Sequence, residues 1–219
     1  MVPRGPALAC RAPCGSALPR RPRLWLNSRF VGRDIAVEIE IRQANLAEIT
    51  GLMDLVRACI VNMQSQGIDQ WDDLYPDRGT IQRDVDEGAV FIARMAGVIA
   101  GMATLNERQD PEYTAVPWQF FGRPAVIHRL MVAPAAEGKG VARALMRLLE
   151  TRGASAGHTC IRLDVFVQNP RAVRFYERSS YRRAGLVRFR KGDFFCYEKK
   201  ILENADSRDL AAAAALRTP

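Results

Sequence analysis

Apolar and polar residues alternate over 37–44 (VEIEIRQA), which predicts a strand. The next stretch changes period. Ile49, Leu52, Met53, Val56, Cys59, Ile60 and Met63 recur at three- and four-residue steps, giving a helix with one apolar face. Asn45 with Glu48 three residues on makes a capping-box start, and Gly67 a stop. Residues 68–79 (IDQWDDLYPDRG) lose the period and gather acids and aromatics, as a loop does, and a short helix follows over 80–88. Two strands joined by a turn near Ala96-Gly97 fill 89–107, and 108–124 read as a polar and aromatic loop. A strand at 126–134 (VIHRLMVAP) runs into a helix at 138–157, with Val141, Leu145, Leu148 and Leu149 on one face. A strand at 160–168 (CIRLDVFVQ) precedes a short helix at 169–181, capped by Asn169 with Pro170 at its first position. Residues 186–201 close the pattern as a hairpin, and no segment repeats at a fixed period. Early strands are linked directly and later ones cross over through helices. That order predicts a mixed α/β sheet with helices on both faces.

Composition fits one ordinary globular domain: 219 residues, 48% hydrophobic and 26% charged. The net charge of +8 would suggest a nucleic-acid partner, but its location argues otherwise. Residues 1–33 hold seven arginines (Arg4, Arg11, Arg20, Arg21, Arg23, Arg29, Arg33) and no acid; taking these from the 32 basic residues leaves 25 against 24 acids. The body is nearly neutral and the basic character belongs to the leader. Five prolines by position 22 oppose a helix there, and arginines interrupt every apolar run, so neither a secretory signal nor a transit helix fits. Residues 1–36 are expected to be a disordered Arg/Pro-rich leader or an over-extended start, 37–203 the folded domain, and 204–219 a flexible or frayed tail. No run approaches the ~18 apolar residues of a membrane span. Five cysteines, an odd number, three of them within apolar elements, read as reduced thiols in a cytoplasmic protein; two histidines and no ligand cluster give no metal site.

The candidate chemistry sits at EGKGVARALM, residues 137–146, where a strand meets a helix. Gly138 and Gly140 there make either a plain tight turn or a phosphate cradle. The start of a helix offers unpaired N–H groups and the positive end of its dipole, and glycine lets an anion come close. Lys139 adds a mobile cation. The Gly-x-x-x-x-Gly-Lys-Ser/Thr and Gly-x-Gly-x-x-Gly spacings are both absent, which removes a P-loop and a dinucleotide fold.

The surroundings of this junction resemble the GCN5-related N-acetyltransferase family. The stretch RLMVAPAAEGKGVARALM carries Glu137-Gly138-Lys139-Gly140-Val141-Ala142 at the position of that family's Gln/Arg-x-x-Gly-x-Gly/Ala signature. IRLDVFVQNPRAVRFYERSSY, about thirty residues later, matches a second Asn-x-x-Ala-x-x-x-Tyr element with Asn169, Ala172 and Tyr176. The resemblance covers roughly 38–202. It implies the acyl-CoA N-acyltransferase fold, a mixed, mostly antiparallel sheet of about seven strands, and acetyl-CoA as co-substrate with no metal. By position, it implies that backbone groups of Met131 and Val132 pair with the pantetheine amides. The N–H groups from Gly138 through Lys139, Gly140 and Val141 to Ala142 would hold the pyrophosphate, Asn169 would orient the pantetheine arm, and Tyr176 would protonate the leaving thiolate. Two departures stand out. Glu137 replaces the usual Gln or Arg, which is electrostatically unhelpful beside a pyrophosphate unless it points away. Ser180 replaces the usual glycine after the second helix, where a positive φ is awkward for serine.

Aminolysis of a thioester needs a neutral amine, a stabilised oxyanion and a proton for the departing sulfur. The N–H of Val132 is a candidate oxyanion donor, and a tyrosine is protonated at neutral pH. No motif fixes the base, for which Glu107, His128 and Glu198 are candidates. The plain alternatives are packing for Tyr176, capping for Asn169, a strand position for His128, pocket-wall packing for Trp71 and Tyr75, and pairing with Arg188 or Arg190 for Glu198. The leading expectation is acetyl transfer from acetyl-CoA to a primary amine of a small molecule or peptide, with no nucleic-acid or membrane partner and with a homodimer compatible. A non-catalytic acetyl-CoA-binding module is the second reading, and nucleic-acid binding through the leader the third.

Overall fold

Residues 26–28 and 38–201 are described by a computed structural model; the 204–219 tail and nearly all of the leader lie outside the described residues. Eight strands form one sheet in the order β1-β2-β3-β4-β5-β6-β8-β7. They are β1 (Leu26–Ser28), β2 (Ile39–Gln43), β3 (Val90–Met95), β4 (Val98–Asn106), β5 (Pro124–Val132), β6 (Cys160–Phe166), β7 (Arg182–Phe189) and β8 (Gly192–Lys200). Every neighbouring pair is antiparallel except β5–β6. The seven strands from β2 to β8 are those the pattern predicts. β1 is an edge strand contributed by the stretch that composition set apart as leader.

The helices are α1 (Ile49–Ser65), α2 (Arg78–Asp86), α3 (Val141–Ser155) and α4 (Pro170–Arg178). The Asn45–Glu48 capping box is present, closing a short 3-10 turn that leads into α1. Alternation in β3 shows how the layers form: Val90 and Ile92 pack with α1 and α2, whereas Phe91 and Ala93 pack with α3. Leu52, Ile81, Ile92, Leu145 and Ile161 are fully buried. Each contributes roughly 1.5–3 kcal/mol of apolar burial. A third cluster joins the 108–120 loop to the sheet through Tyr113, Val116, Val126, Phe166 and Phe194.

Two features of this frame create the site. β5 pairs with β6 only over Pro124–Val126 and Cys160–Arg162; beyond that the strands part. The parting coincides with a bulge, because Arg129 and Leu130 together oppose the single residue Ala103, and Arg129 takes φ +52°. Gly101 then brings the start of α3 down onto the sheet. A Cβ there would lie 2.7 Å from the Met131 carbonyl oxygen and 2.8 Å from Val141 Cγ1.

Candidate functional site

A cavity of about 720 Å³ fills the gap between β5 and β6. At one end is the start of α3. Gly138 and Gly140 hold φ of +75° and +86°, and Gly140 caps the helix with no side chain in attendance. The N–H groups of Gly138, Gly140, Val141, Ala142 and Arg143 have no protein acceptor among the described residues. Exposed Lys139 and Arg143 flank them, neither with an ion pair among the described residues. Five open donors, two cations and side-chain-free backbone suit a diphosphate. Glu137 does not spoil this end. Its carboxylate receives Arg171 of α4 and, at 3.3 Å, Nδ2 of Asn62 on α1, so it carries a compensating charge.

Next to the cradle runs the open edge of β5. Ala133 donates to Ala100 across β4. Ladder alternation therefore turns the peptide groups of Met131 to β4 and leaves those of Leu130 and Val132 facing the gap. The expected Met131–Val132 pairing edge is thus corrected by one residue: Met131 contributes its buried side chain, while Leu130 and Val132 offer backbone. The Cys59 thiol lies 3.3 Å from the Val132 carbonyl oxygen. Burial, with Glu137 adding, pushes that thiol up to about 12. It stays protonated at neutral pH and is unsuited to be a nucleophile.

Tyr176 stands across the gap on α4, its ring packed among Phe175, Tyr181 and Tyr197. Its hydroxyl makes no hydrogen bond among the described residues, and the residue lines the cavity. Burial first, then the nearby Asp164 charge, raise its ionisation above the ordinary tyrosine value, which keeps it a proton donor. Asn169 caps α4 by accepting from the Ala172 N–H at 3.1 Å, and its Nδ2 donates to Gln70 Oε1 at 3.2 Å. Both its cap role and its place at the cavity therefore hold.

The far end is polar. His128 lines it, with Nε2 3.2 Å from Asn106 Oδ1 and 3.1 Å from the Arg108 carbonyl oxygen. Burial and then Arg129 lower it to about 4, so it is neutral and a weak base at pH 7. Arg129 bonds the buried Asp84 and gives Nη1 to the Tyr75 hydroxyl at 2.7 Å. Asp164 of β6 accepts from the Tyr113 hydroxyl at 2.7 Å, and burial raises it to about 6. The 66–77 loop closes this end. Asp72 takes two hydrogen bonds of 2.8 Å from Arg190, and Asp69 one of 2.6 Å from Lys191, both in the β7–β8 turn.

The cavity gathers most residues expected from sequence: His128, Met131, Val132, Gly138, Gly140, Val141, Ala142, Asn169 and Tyr176, with Trp71 and Tyr75 as wall. Lys139 lies outside the lining but beside the cradle. Glu107 does not belong to this site. It is exposed, pairs with Arg123, and borders a separate depression near His158, because its strand has already run past the gap. Glu198 is fully buried and accepts from the Gln119 and Phe120 N–H groups at 2.9 and 3.1 Å. Its cation is Arg182, not Arg188 or Arg190, so it anchors the 117–122 loop. Sequence reasoning passed over Asp110, Arg129 and Asp164. The available signal was an acid at the centre of the apolar strand IRLDVF.

The frame is an open sheet split at one parallel pair, with the unpaired N–H groups that begin α3 on one flank and Tyr176 on the other. The chain belongs to the acetyltransferase (GNAT) family, whose model matches residues 54–181. Among solved structures it is similar to a GNAT acetyltransferase from Streptococcus agalactiae, with 24% identity, TM-score 0.65, and coverage of 75% of this chain and 96% of that one. It is also similar to a putative acetyltransferase from Salmonella typhimurium solved with acetyl-CoA (18%, TM-score 0.58, 76% and 96%). A third is the PaiA N-acetyltransferase of Thermoplasma acidophilum in complex with coenzyme A (18%, TM-score 0.58, 74% and 98%). No curated protein matches the sequence. Among the described residues no helix is long and apolar enough to cross a membrane.

Proposed function

We propose that this protein transfers the acetyl group of acetyl-CoA to a primary amine by direct attack on the thioester. The observation that carries the reading is the pairing, in one cavity, of the open N–H groups at the start of α3 with the Tyr176 hydroxyl across the gap, both without a partner among the described residues. Acetyl-CoA supplies the activated acyl group. The chain supplies the rest. The cradle from Gly138 to Arg143 anchors the diphosphate. The exposed peptide edge at Leu130 and Val132 receives the amide-bearing arm as an added strand, and the Val132 N–H is placed to meet the carbonyl oxygen as it gains charge. Tyr176 holds the proton that the departing sulfur needs. Cys59, the thiol nearest the Val132 backbone, is held neutral, which favours a one-step transfer without an acyl-enzyme. The three cysteines among the described residues are buried and free, which suits a reducing compartment, and we place the protein in the cytoplasm.

The non-catalytic alternative drew on the Glu137 charge and the lack of a base. Arg171 now compensates the first, and Asp164 supplies a candidate for the second. The deciding experiment incubates the protein with acetyl-CoA and a panel of amines, following free thiol and N-acetyl product by mass spectrometry. Tight acetyl-CoA binding with no thiol release on any amine would favour the binding-module reading.

A further inference from the structure

The 66–77 loop meets the sheet through a chain of three polar side chains. Asp84 stands on the buried face of α2 with Ile81 and Val85 and is 1% exposed. A carboxylate so placed has to be matched by donors. Thr104 gives its hydroxyl at 3.2 Å, Arg108 gives Nη2 at 2.6 Å, and Arg129 of the β5 bulge gives its own Nη2. Arg108 has Glu87 as a second acid, whereas Asp84 is the one acid paired with Arg129 among the described residues. Apolar side chains in the same space would often serve stability at least as well, because a buried ion pair must first repay its own desolvation. What the pair supplies is position. The planar guanidinium is a rigid fork, so fixing one arm fixes the other. The second arm, Nη1, donates to the Tyr75 hydroxyl oxygen at 2.7 Å, with Cζ 5.9 Å from the ring centroid. Tyr75 lines the cavity from the covering loop and is 39% exposed. A phenol that accepts from an arginine still has its own proton to give, and that proton has no acceptor among the described residues. The loop does not need this contact to stay in place. Asp69 and Asp72 tie it to Lys191 and Arg190, and Gln70 ties it to Asn169.

We propose that Tyr75 is a specificity-determining residue, donating a hydrogen bond to an uncharged oxygen carried by the amine substrate, and that Asp84, acting through Arg129, is the residue that positions it. This rests on the acetyltransfer reading above. A hydroxyl whose oxygen already accepts from a cation is polarised into a better donor. The charge behind it is spent, because Asp84 neutralises Arg129. Asp164 and Asp110 both lie close enough for their charge to act on Tyr75. A carboxylate or phosphate would therefore meet like charge beside this donor, whereas an ether, hydroxyl or carbonyl oxygen would not. The contact distinguishes substrates by the worth of a hydrogen bond and takes no part in moving the acetyl group.

The test compares 2-methoxyethylamine with n-butylamine, in which a methylene takes the place of the ether oxygen, at saturating acetyl-CoA. The two amines also differ in basicity, so the deciding quantity is the change in their kcat/KM ratio between parent and variant. Tyr75→Phe should lower the preference for the ether by about two- to tenfold, the worth of one neutral hydrogen bond. The loss should fall on the KM of the ether, with acetyl-CoA affinity by calorimetry within twofold of the parent. Arg129→Lys keeps a cation for Asp84 but has a single arm, and it should lower the ratio likewise, as should Asp84→Asn. A relay has a signature that separate structural damage lacks: in the Tyr75→Phe background neither change should move the ratio further, because the hydroxyl they position is gone. If Asp84→Asn does not fold, Arg129→Lys completes the same cycle. An unchanged ratio in Tyr75→Phe would overturn the donor assignment, and losses that add in the double variants would overturn the relay. Saturation-transfer NMR on the protein–coenzyme A complex gives the ratio from binding alone, without turnover. A parent that binds the ether in preference, loses that preference in Tyr75→Phe and yet acetylates no amine would sustain the donor assignment and sink the transfer reading. A parent that binds neither amine would overturn the donor assignment.

Discussion

Replacing Tyr176 by phenylalanine separates catalysis from packing at one atom. The ring would keep its edge contact with Phe175 at 5.2 Å, that with Tyr181 at 5.7 Å and its stacking on Tyr197 at 6.4 Å. Among the described residues the hydroxyl has no hydrogen bond to lose, so the stability change should stay below about 1 kcal/mol. The rate should respond very differently. A lost general acid costs roughly 10²–10⁴, which is about 2.7–5.4 kcal/mol of barrier at 1.36 kcal/mol per decade. Because burial and Asp164 raise its ionisation, this phenol should impose no falling limb on the parental pH profile up to about pH 10. The assay is kcat at saturating acetyl-CoA with a good amine acceptor, alongside thermal unfolding and calorimetric acetyl-CoA binding. A thioester whose thiol is more acidic needs less help in leaving and should restore the variant selectively. Parental kcat with chemistry shown to be rate-limiting would refute the assignment. So would a large drop in Tm with little kinetic effect, the signature of a packing role.

Three further outcomes follow from the same geometry. Glu137→Gln should release Arg171 toward the diphosphate and tighten coenzyme A binding a few-fold, as expected for a partly exposed charge worth up to about 1 kcal/mol; weaker binding by calorimetry would show that the carboxylate helps. Ser180 sits at φ +64° in the C-terminal cap of α4, with Tyr181 N–H bonded to Tyr176 O and Ser180 N–H to Glu177 O, so Ser180→Gly should stabilise by about 1 kcal/mol in urea unfolding. The third concerns pH. Asp164, raised from 3.8 to about 6, contributes stability that is present below about pH 4 and lost as pH rises through 6. His128, lowered from 6.5 to about 4, contributes stability that is present above 6.5 and lost as pH falls toward 4. Each amounts to roughly 3–3.5 kcal/mol at most, and the two offset one another. Asp164→Asn should therefore be more stable than the parent at pH 7 and show a steeper acid limb, and lower stability at pH 7 would contradict this.

Much of this architecture could be read in the chain because the informative residues are local. The two periods of β3 and α1, the Asn45–Glu48 box, and the glycine pair before Val141 each fix a local conformation, and each appears where its pattern places it. The residues that sequence missed are those whose meaning is non-local. Asp164 and Asp110 are 54 positions apart and meet only because the 108–120 loop folds over β6. Glu107, a base candidate by residue type, falls beside Arg123 and His158 at a separate depression. The Met131 expectation missed by one residue for a related reason. Strand alternation has period two, and a single bulged residue upstream, Arg129, decides which peptides face the gap.

The cost of the site is concentrated where the sheet is broken. β5 and β6 pair over Pro124–Val126 and Cys160–Arg162, and each strand is paired on its other edge as well. Past Val126 and Arg162 the edges of Leu130 and Val132 lose their partner, Arg129 bends into the left-handed region and its Nε finds no acceptor among the described residues, and Asp164 and His128 are held away from their usual protonation behaviour. Each of these would be removed by selection for stability alone, since an unmet buried polar group costs on the order of 1–3 kcal/mol. They occur together because one device creates them all. The bulge opens β5 from β6, and the gap then exposes backbone to one substrate and side chains to the other. Closing the gap would satisfy the sheet and abolish the cavity. The break is flanked by the longer antiparallel ladders β6–β8–β7 and β2–β3–β4, and Gly101 lets α3 rest on the sheet close enough for its open N–H groups to face the same space.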